Sequence, residues 1–278
     1  MEVRFTASDS GRAVVISDYG HPKDGRVGDL APQTTLETQR IGTQLIKSVY
    51  RQERRALDLP FLFKAADEAT LLANIELILD VLTEGEGTLR VTRKDGTVRE
   101  LQRCYYVGGL GEKGYVKATE AVLSFDGLDP YWYDPTAVIV DFVSGGGDAP
   151  TLFFPVPPLN LLPSAIFQSK TAPNPGKESW PVWTVTGPGN TISLINQTSG
   201  RTFIYSGTLT AADTLVIDTR PLYKTVRLNG VNAWANVPKA SADLWPLAGG
   251  DNAILVTMGN STVHTLVEFN YNPRYVSR

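Results

Sequence analysis

Hydrophobic positions in this chain recur with two different periods. Leu57, Leu59, Phe61 and Phe63 alternate with other residues, as in a strand with one buried face, and Pro60 places that strand at or near a sheet edge because it cannot donate to a ladder. Over residues 68–83 the period becomes helical. Leu71, Leu72, Ile75, Ile78, Leu79 and Leu82 fall on one stripe, Asp67 stands at the N-cap, and Gly85 follows as a stop signal. That stripe requires a sheet to bury it. Leu89 and Val91 then alternate with Arg90 and Thr92 up to the turn Lys94-Asp95-Gly96-Thr97, and residues 98–107 run back as the second arm of a hairpin.

A further strand-like run, 115–125, ends in Phe125-Asp126-Gly127-Leu128-Asp129-Pro130-Tyr131-Trp132-Tyr133-Asp134-Pro135. Each proline fixes its own φ and bars helix at the residue before it, so the chain turns here. Two readings stand. The three aromatics close the edge of a core, or Asp129, Pro130, Tyr131, Trp132 and Tyr133 form an interdomain junction that seals the handover to a second domain. Beyond it lie a strand over 137–143, a flexible Ser-Gly-Gly-Gly joint, and a stretch, 150–175, with seven prolines among apolar residues. That stretch reads as extended and adhesive. From Trp180 onward, short strands alternate with turn residues and no useful helix is visible, the pattern of a β-sandwich. Residues 18–43, rich in Gly, Pro, Asp and Thr, read as a long loop, either an inter-subunit arm or a floppy insert.

The expected fold is therefore mainly β with one prominent helix, arranged as an N-terminal α+β domain, 1–135, and a C-terminal β-sandwich, 136–278. A length of 278 residues suits two domains of ordinary size. Their composition, 42% hydrophobic and 20% charged, can fill both interiors. A formal net charge of −3 gives no basic excess to capture nucleic acid or anionic lipid, so neither partner is expected. The N-terminal residues 1–12 carry no hydrophobic block resembling a cleaved signal, and no apolar run approaches the roughly 20 residues of a membrane helix. Cys104, the single cysteine, has no internal disulfide partner, which leaves packing, oligomerisation or both to stabilise the chain.

Candidate chemistry is sparse. The two histidines, His21 in the loop-rich arm and His264 in an expected strand, give no local signature of a metal cluster or hydrolytic triad. Gly109-Leu110-Gly111-Glu112-Lys113-Gly114 spells a dinucleotide fingerprint, but strands flank it on both sides, so no helix N-terminus faces the glycines to receive a pyrophosphate. Asp126, Asp129 and Asp134 suggest a glycosidase carboxylate pair, against which stands the ordinary use of Asp beside Gly or Pro in turns. The tryptophans of the second half are either core residues or faces for sugar rings, with Trp180 and Trp234 as the candidate sugar platform. No catalytic, cofactor-binding or metal-binding residue is assigned, and no cofactor is expected.

With these elements placed, the chain resembles the distal tail protein (Dit) family of long-tailed bacteriophages, the siphovirus-type tail component. The residues that carry the resemblance are Asp67-Glu68-Ala69-Thr70-Leu71-Leu72, the hairpin at Lys94-Asp95-Gly96-Thr97, and above all Leu123-Ser124-Phe125 through Asp129-Pro130-Tyr131-Trp132-Tyr133. Further along, Pro181-Val182-Trp183-Thr184-Val185-Thr186-Gly187-Pro188, Ile217-Asp218-Thr219 and Leu247-Ala248-Gly249-Gly250-Asp251-Asn252 follow in the family's order.

The resemblance implies an N-terminal belt domain that closes into a homo-hexameric ring and a galectin-like or carbohydrate-module-like C-terminal sandwich. It implies a non-enzymatic structural role at the virion tail tip, made in the host cytoplasm. The ring would join the tail tube protein to a tail-associated hub, fibre or lysin protein, with a receptor-binding protein as a further partner. The galectin sugar run His-x-Asn-x-Arg is not matched by His264-Thr265-Leu266-Val267-Glu268. Two alternatives stay open: a carbohydrate-binding adhesin acting through the C-terminal sandwich, and a cell-wall hydrolase using the aspartates near residue 130.

Overall fold

The computed structural model describes residues 1–23, 34–41, 44–52, 54–110, 117–144 and 165–276. They divide into two compact units, one of residues 1–135 with 274–278 and one of residues 136–273. The first contains β1 (Glu2–Ala7), β2 (Ala13–Val15), β3 (Gly20–Pro22), β4 (Thr34–Ile41), β5 (Gln44–Gln52), β6 (Arg55–Lys64), α1 (Glu68–Leu82), β7 (Gly87–Thr92), β8 (Val98–Gly108), β9 (Ala118–Gly127) and β10 (Trp132–Tyr133).

Alternation decides the core face of the main sheet, whose strand order is β2-β1-β7-β8-β9-β6-β3. Leu57, Leu59, Phe61 and Phe63 of β6 are buried, together with Val3 and Phe5 of β1, Leu89 and Val91 of β7, and Leu123 and Phe125 of β9. β6 pairs with β9 without interruption from Arg55↔Gly127 to Lys64↔Ala118. Among the described residues its other side pairs with the three residues of β3 alone, opposite Phe61, Leu62 and Phe63. Pro60 therefore stands one strand in from the edge, just past the end of a short edge strand, where a missing N–H breaks no ladder bond to β3.

The helix begins where Asp67 accepts a hydrogen bond from the Thr70 N–H at 2.8 Å. It buries Leu71, Ile75, Ile78, Val81 and Leu82 on the sheet. Leu72, expected on that stripe, is instead 40% exposed. The helix has no basic residue in its last turn. Arg12 meets that need from the turn before β2, pairing with Asp80 at 2.6 Å and with Glu84, so a cation faces the negative end of the helix dipole.

The expected loop 18–43 is partly strand. β4 and β5 pair from Thr34↔Gln52 to Ile41↔Gln44 as a two-stranded sheet of their own. The threonines that suggested irregular chain are β-branched and suit a strand. The rest of that arm, 24–33 and 42–43, lies outside the described residues.

The second unit contains β11 (Val138–Val143), β12 (Ala165–Asn174), β13 (Val182–Thr186), β14 (Gly189–Asn196), β15 (Arg201–Leu209), β16 (Thr214–Asp218), β17 (Thr225–Leu228), β18 (Val231–Asn232), β19 (Gly250–Gly259) and β20 (Leu266–Tyr271). They form two antiparallel sheets, ordered β11-β20-β13-β16-β17-β18 and β12-β19-β14-β15, that share one core. Trp183 centres it, 5.6 Å edge-on to Trp245 and 4.4 Å from Phe269. At one margin of the sandwich the two edge strands are laced together. The Val143 N–H donates to Gln168 Oε1 at 3.2 Å, and Lys170 Nζ lies 3.3 Å from Asp141.

β12 falls within the proline-rich stretch expected to be merely extended. Its residues 165–174 pair with β19 throughout, because six of the seven prolines precede or follow this run and Pro173 sits near its end on an edge strand. Residues 150–164 of the stretch lie outside the described residues.

A last strand, β21 (Arg274–Tyr275), leaves the sandwich and pairs antiparallel with β10, as Trp132↔Tyr275 and Tyr133↔Arg274. Residues 274–278 thus group with the first unit, although the sequence assigned everything after 135 to the second. A two-residue strand carries too little hydrophobic pattern to reveal its partner.

Candidate functional site

β9 runs out at Gly127 and the five residues singled out in the sequence follow. All lie in the first unit, where they hold the returning end of the chain. The Tyr131 N–H donates to Asp129 Oδ1 at 3.0 Å and closes the turn across Pro130. The Tyr133 hydroxyl donates to Asp129 Oδ2 at 2.6 Å. Arg274 Nη2 reaches both oxygens of the same carboxylate, and its guanidinium stands 4.2 Å over the Tyr131 ring and 5.5 Å from that of Tyr133. Trp132 is wholly buried.

Beneath this layer Arg55 is also wholly buried. Its Nε donates to the Pro130 carbonyl at 2.9 Å and its Nη2 to the Val276 carbonyl, so one guanidinium spans the turn and the last strand. Arg99 completes the set, 3.2 Å from Asp134 and 4.2 Å over the Tyr275 ring. The three arginines were not singled out in the sequence. Arg55 had a legible signal, since it stands two residues before Leu57 and so on the core face of the same strand.

The aspartates that suggested a hydrolase are each engaged by an arginine. Asp126 pairs with Arg54 at 2.6 Å, Asp129 with Arg274 and Asp134 with Arg99. Carboxylates held this way brace loops. Among the described residues no group of three or more His, Cys, Asp or Glu side chains is arranged to hold a metal, and no helix is long and apolar enough to cross a membrane. His21 is exposed on β3. His264, expected in a strand, lies exposed in the turn before β20, where Thr262 and Thr265 hydrogen-bond the backbone into that turn.

Cys104 is buried against β9, and desolvation first, then the charge of Asp126, pushes its thiol well above the ordinary range. Of the fingerprint-like glycines, Gly109 has a positive φ and backs onto β9 so closely that a Cβ would lie 1.7 Å from the Val122 carbonyl oxygen. This glycine serves close approach between strands. Residues 111–114 lie outside the described residues.

The candidate sugar platform divides. Trp234 packs against the core of the sandwich. Trp180 is half-buried two residues before β13, with Lys224 Nζ 5.8 Å over its ring. Beside Lys224, Leu222 and Tyr223 are 67% and 53% exposed, and the Arg220 guanidinium stands 4.5 Å over the Tyr223 ring.

Residues 176–275 match a protein family described as the siphovirus-type tail component, C-terminal domain. No curated protein matches the chain. Among solved structures, the fold is similar to that in the crystal structure of the SPP1 Dit (gp 19.1) protein, described as a paradigm of the hub adsorption apparatus in phages infecting Gram-positive bacteria. The TM-score is 0.68 at 11% identity, over 98% of this chain and 99% of that one. A chain of the phage P2 baseplate, in its activated conformation with Ca, matches with a TM-score of 0.52 at 10% identity, covering 100% of this chain and 99% of that one.

Proposed function

We propose that this chain is a structural hub protein of a phage tail tip or baseplate, with no catalytic step of its own. One observation carries the reading: the fold of SPP1 Dit extends over both units, while the family match in 176–275 comes from sequence. In this reading the first unit closes into a homo-hexameric ring between the tail tube and a tail-associated hub or fibre protein. Receptor-binding proteins attach at the periphery. The protein is located at the virion tail tip.

Two features of the first unit support assembly. A two-stranded sheet such as β4–β5 is marginal by itself in water and needs cover. The main sheet ends in β3, which covers only Phe61 to Phe63 of β6, so among the described residues the side of β6 from Arg55 to Pro60 is an open edge that a neighbouring copy can cover. The test is light scattering of the purified chain over a concentration series, with negative-stain images of the same sample. A six-fold annulus is expected, whereas a monomer at every concentration counts against a ring that this chain forms unaided.

A second reading, a carbohydrate-binding adhesin, rests on Trp180 and the neighbouring exposed Tyr223. It requires glycan binding that is lost in Trp180→Ala with the fold intact.

A further inference from the structure

Asn229 and Gly230 form the one Asn-Gly dipeptide in the chain. They make the two-residue turn between β17 and β18, where both have positive φ, 50° and 82°, the conformation a tight hairpin of this length requires. Glycine has no side chain to shield its backbone nitrogen. An asparagine in front of it is therefore open to attack by that nitrogen whenever the side-chain carbonyl carbon swings within reach.

The folded hairpin holds the amide elsewhere. Asn229 Nδ2 donates to Asp213 Oδ1 at 2.6 Å, and Asn229 Oδ1 accepts from the Thr214 N–H at 2.9 Å. The Asn229 N–H donates to the Thr214 carbonyl at 2.9 Å, so backbone and side chain are both fastened to the start of β16. Asp213 is itself fixed, because it also accepts from the N–H and the hydroxyl of Thr210 at 2.7 and 2.8 Å. What these contacts oppose is local opening. β18 has only two residues and, among the described residues, no further strand beyond it in the sheet; Val231 is 70% exposed, and a short edge strand of this kind opens without global unfolding.

We propose that Asn229 is a deamidation site guarded by Asp213, at which local opening of the β17–β18 hairpin becomes a permanent covalent change. In the open hairpin the Gly230 backbone nitrogen gives its proton to water or hydroxide and attacks Asn229 Cγ. The new C–N bond closes a five-membered imide and the side-chain nitrogen leaves as ammonia. Water then adds to either imide carbonyl and opens the ring to aspartate or isoaspartate. One water is consumed, one ammonia is released, and nothing is oxidised or reduced.

The product cannot latch again. A carboxylate at position 229 has no N–H to offer Asp213, and it sets one negative charge against another where a hydrogen bond stood. The isoaspartate form also inserts a methylene into a turn that has room for two residues. Turns 210–213 and 229–230 therefore loosen together.

The test follows the site by peptide mapping of the intact chain, incubated at mildly alkaline pH in buffer and in denaturing urea. Conversion at Asn229 is expected to be slow in the folded protein and fast in urea. Asp213→Ala is expected to speed it in the folded protein by at least about tenfold, the loss of about 1.4 kcal/mol of protection. Asp213→Asn keeps a carbonyl acceptor and restores much of the guard. Equal rates in buffer and urea would overturn the proposal even if Asp213→Ala fails to fold, and so would a folded Asp213→Ala protein with an unchanged rate.

Discussion

Arg274 Nη2 lies 2.9 and 3.0 Å from the two carboxylate oxygens of Asp129, a residue 145 positions earlier in the chain. Their side chains are 10% and 22% exposed, so water compensates little when one is removed. Arg274→Ala leaves the Asp129 charge without its cation and the rings of Tyr131 and Tyr133 without their cover. The expected cost is about 3 kcal/mol at neutral pH. Arg274→Lys recovers only part, because an ammonium lacks the planar fork that both stacks on the rings and reaches the carboxylate. Urea titration of the first unit's transition checks this, and an unmoved midpoint in the alanine variant would show the pair to be idle.

Arg55 makes a sharper case. It is wholly buried and its guanidinium serves the carbonyls of Pro130 and Val276. Arg55→Leu keeps the apolar bulk but takes the donor from one buried and one part-buried carbonyl, at roughly 1–3 kcal/mol each, less for the second. A loss of several kcal/mol is therefore expected, well beyond a typical point substitution. If the leucine variant is as stable as the parent, the arginine is replaceable by packing alone.

Three aspartates hold loop ends by accepting backbone N–H bonds: Asp67 from Thr70, Asp95 from Thr97 and Asp213 from Thr210. Those bonds favour the charged form and lower each carboxyl below its ordinary 3.8. A group with a depressed folded-state value contributes its full stabilisation above the unfolded value and loses it as pH falls through the folded one. Thermal stability is therefore expected to decline as pH falls below about 4. With asparagine at all three positions the acceptors remain and the charges go, so the acid limb should flatten. Parallel curves for the two proteins would place the acid sensitivity elsewhere.

Tyr133 and Arg274 are cross-strand partners, so a short Gly-Ser linker from Pro135 to Arg274 can replace residues 136–273. The excised first unit is expected to fold, with Cys104 protected from thiol reagents as in the full chain. A truncation after Pro135 lacks Arg274, Tyr275 and Val276, and its Cys104 should label much faster. Equal labelling of the two would show that β21 does not support the first unit.

The fold was legible where a pattern repeats. The strand at 57–63 and the helix at 68–82 each bury a face that their own spacing marks, and Asp67 caps where its position says it should. Short pieces were not. β21 is two residues long, and its place depends on Arg55, Asp129 and Trp132, all far away in sequence. The edge strand at 165–174 was masked by its prolines, which signal irregular chain locally although only Pro173 interrupts the strand's donors. At the junction the aromatics and Asp129 stood out as residue types, whereas their arginine partners could be paired only in three dimensions. His264 misled because a hydrophobic neighbourhood reads as strand even where two threonines wind the backbone into a turn.

Because Tyr133 and Arg274 face each other at the same end of β10 and β21, the chain departs for the sandwich and comes back from it side by side. Two chain segments rather than one thus connect the units. Tension on the sandwich draws both strands in the same direction and does not unzip them from each other. The load passes instead into the Arg55 and Asp129 anchors behind them, so the strength of the attachment rests on those side-chain contacts rather than on the two-residue ladder.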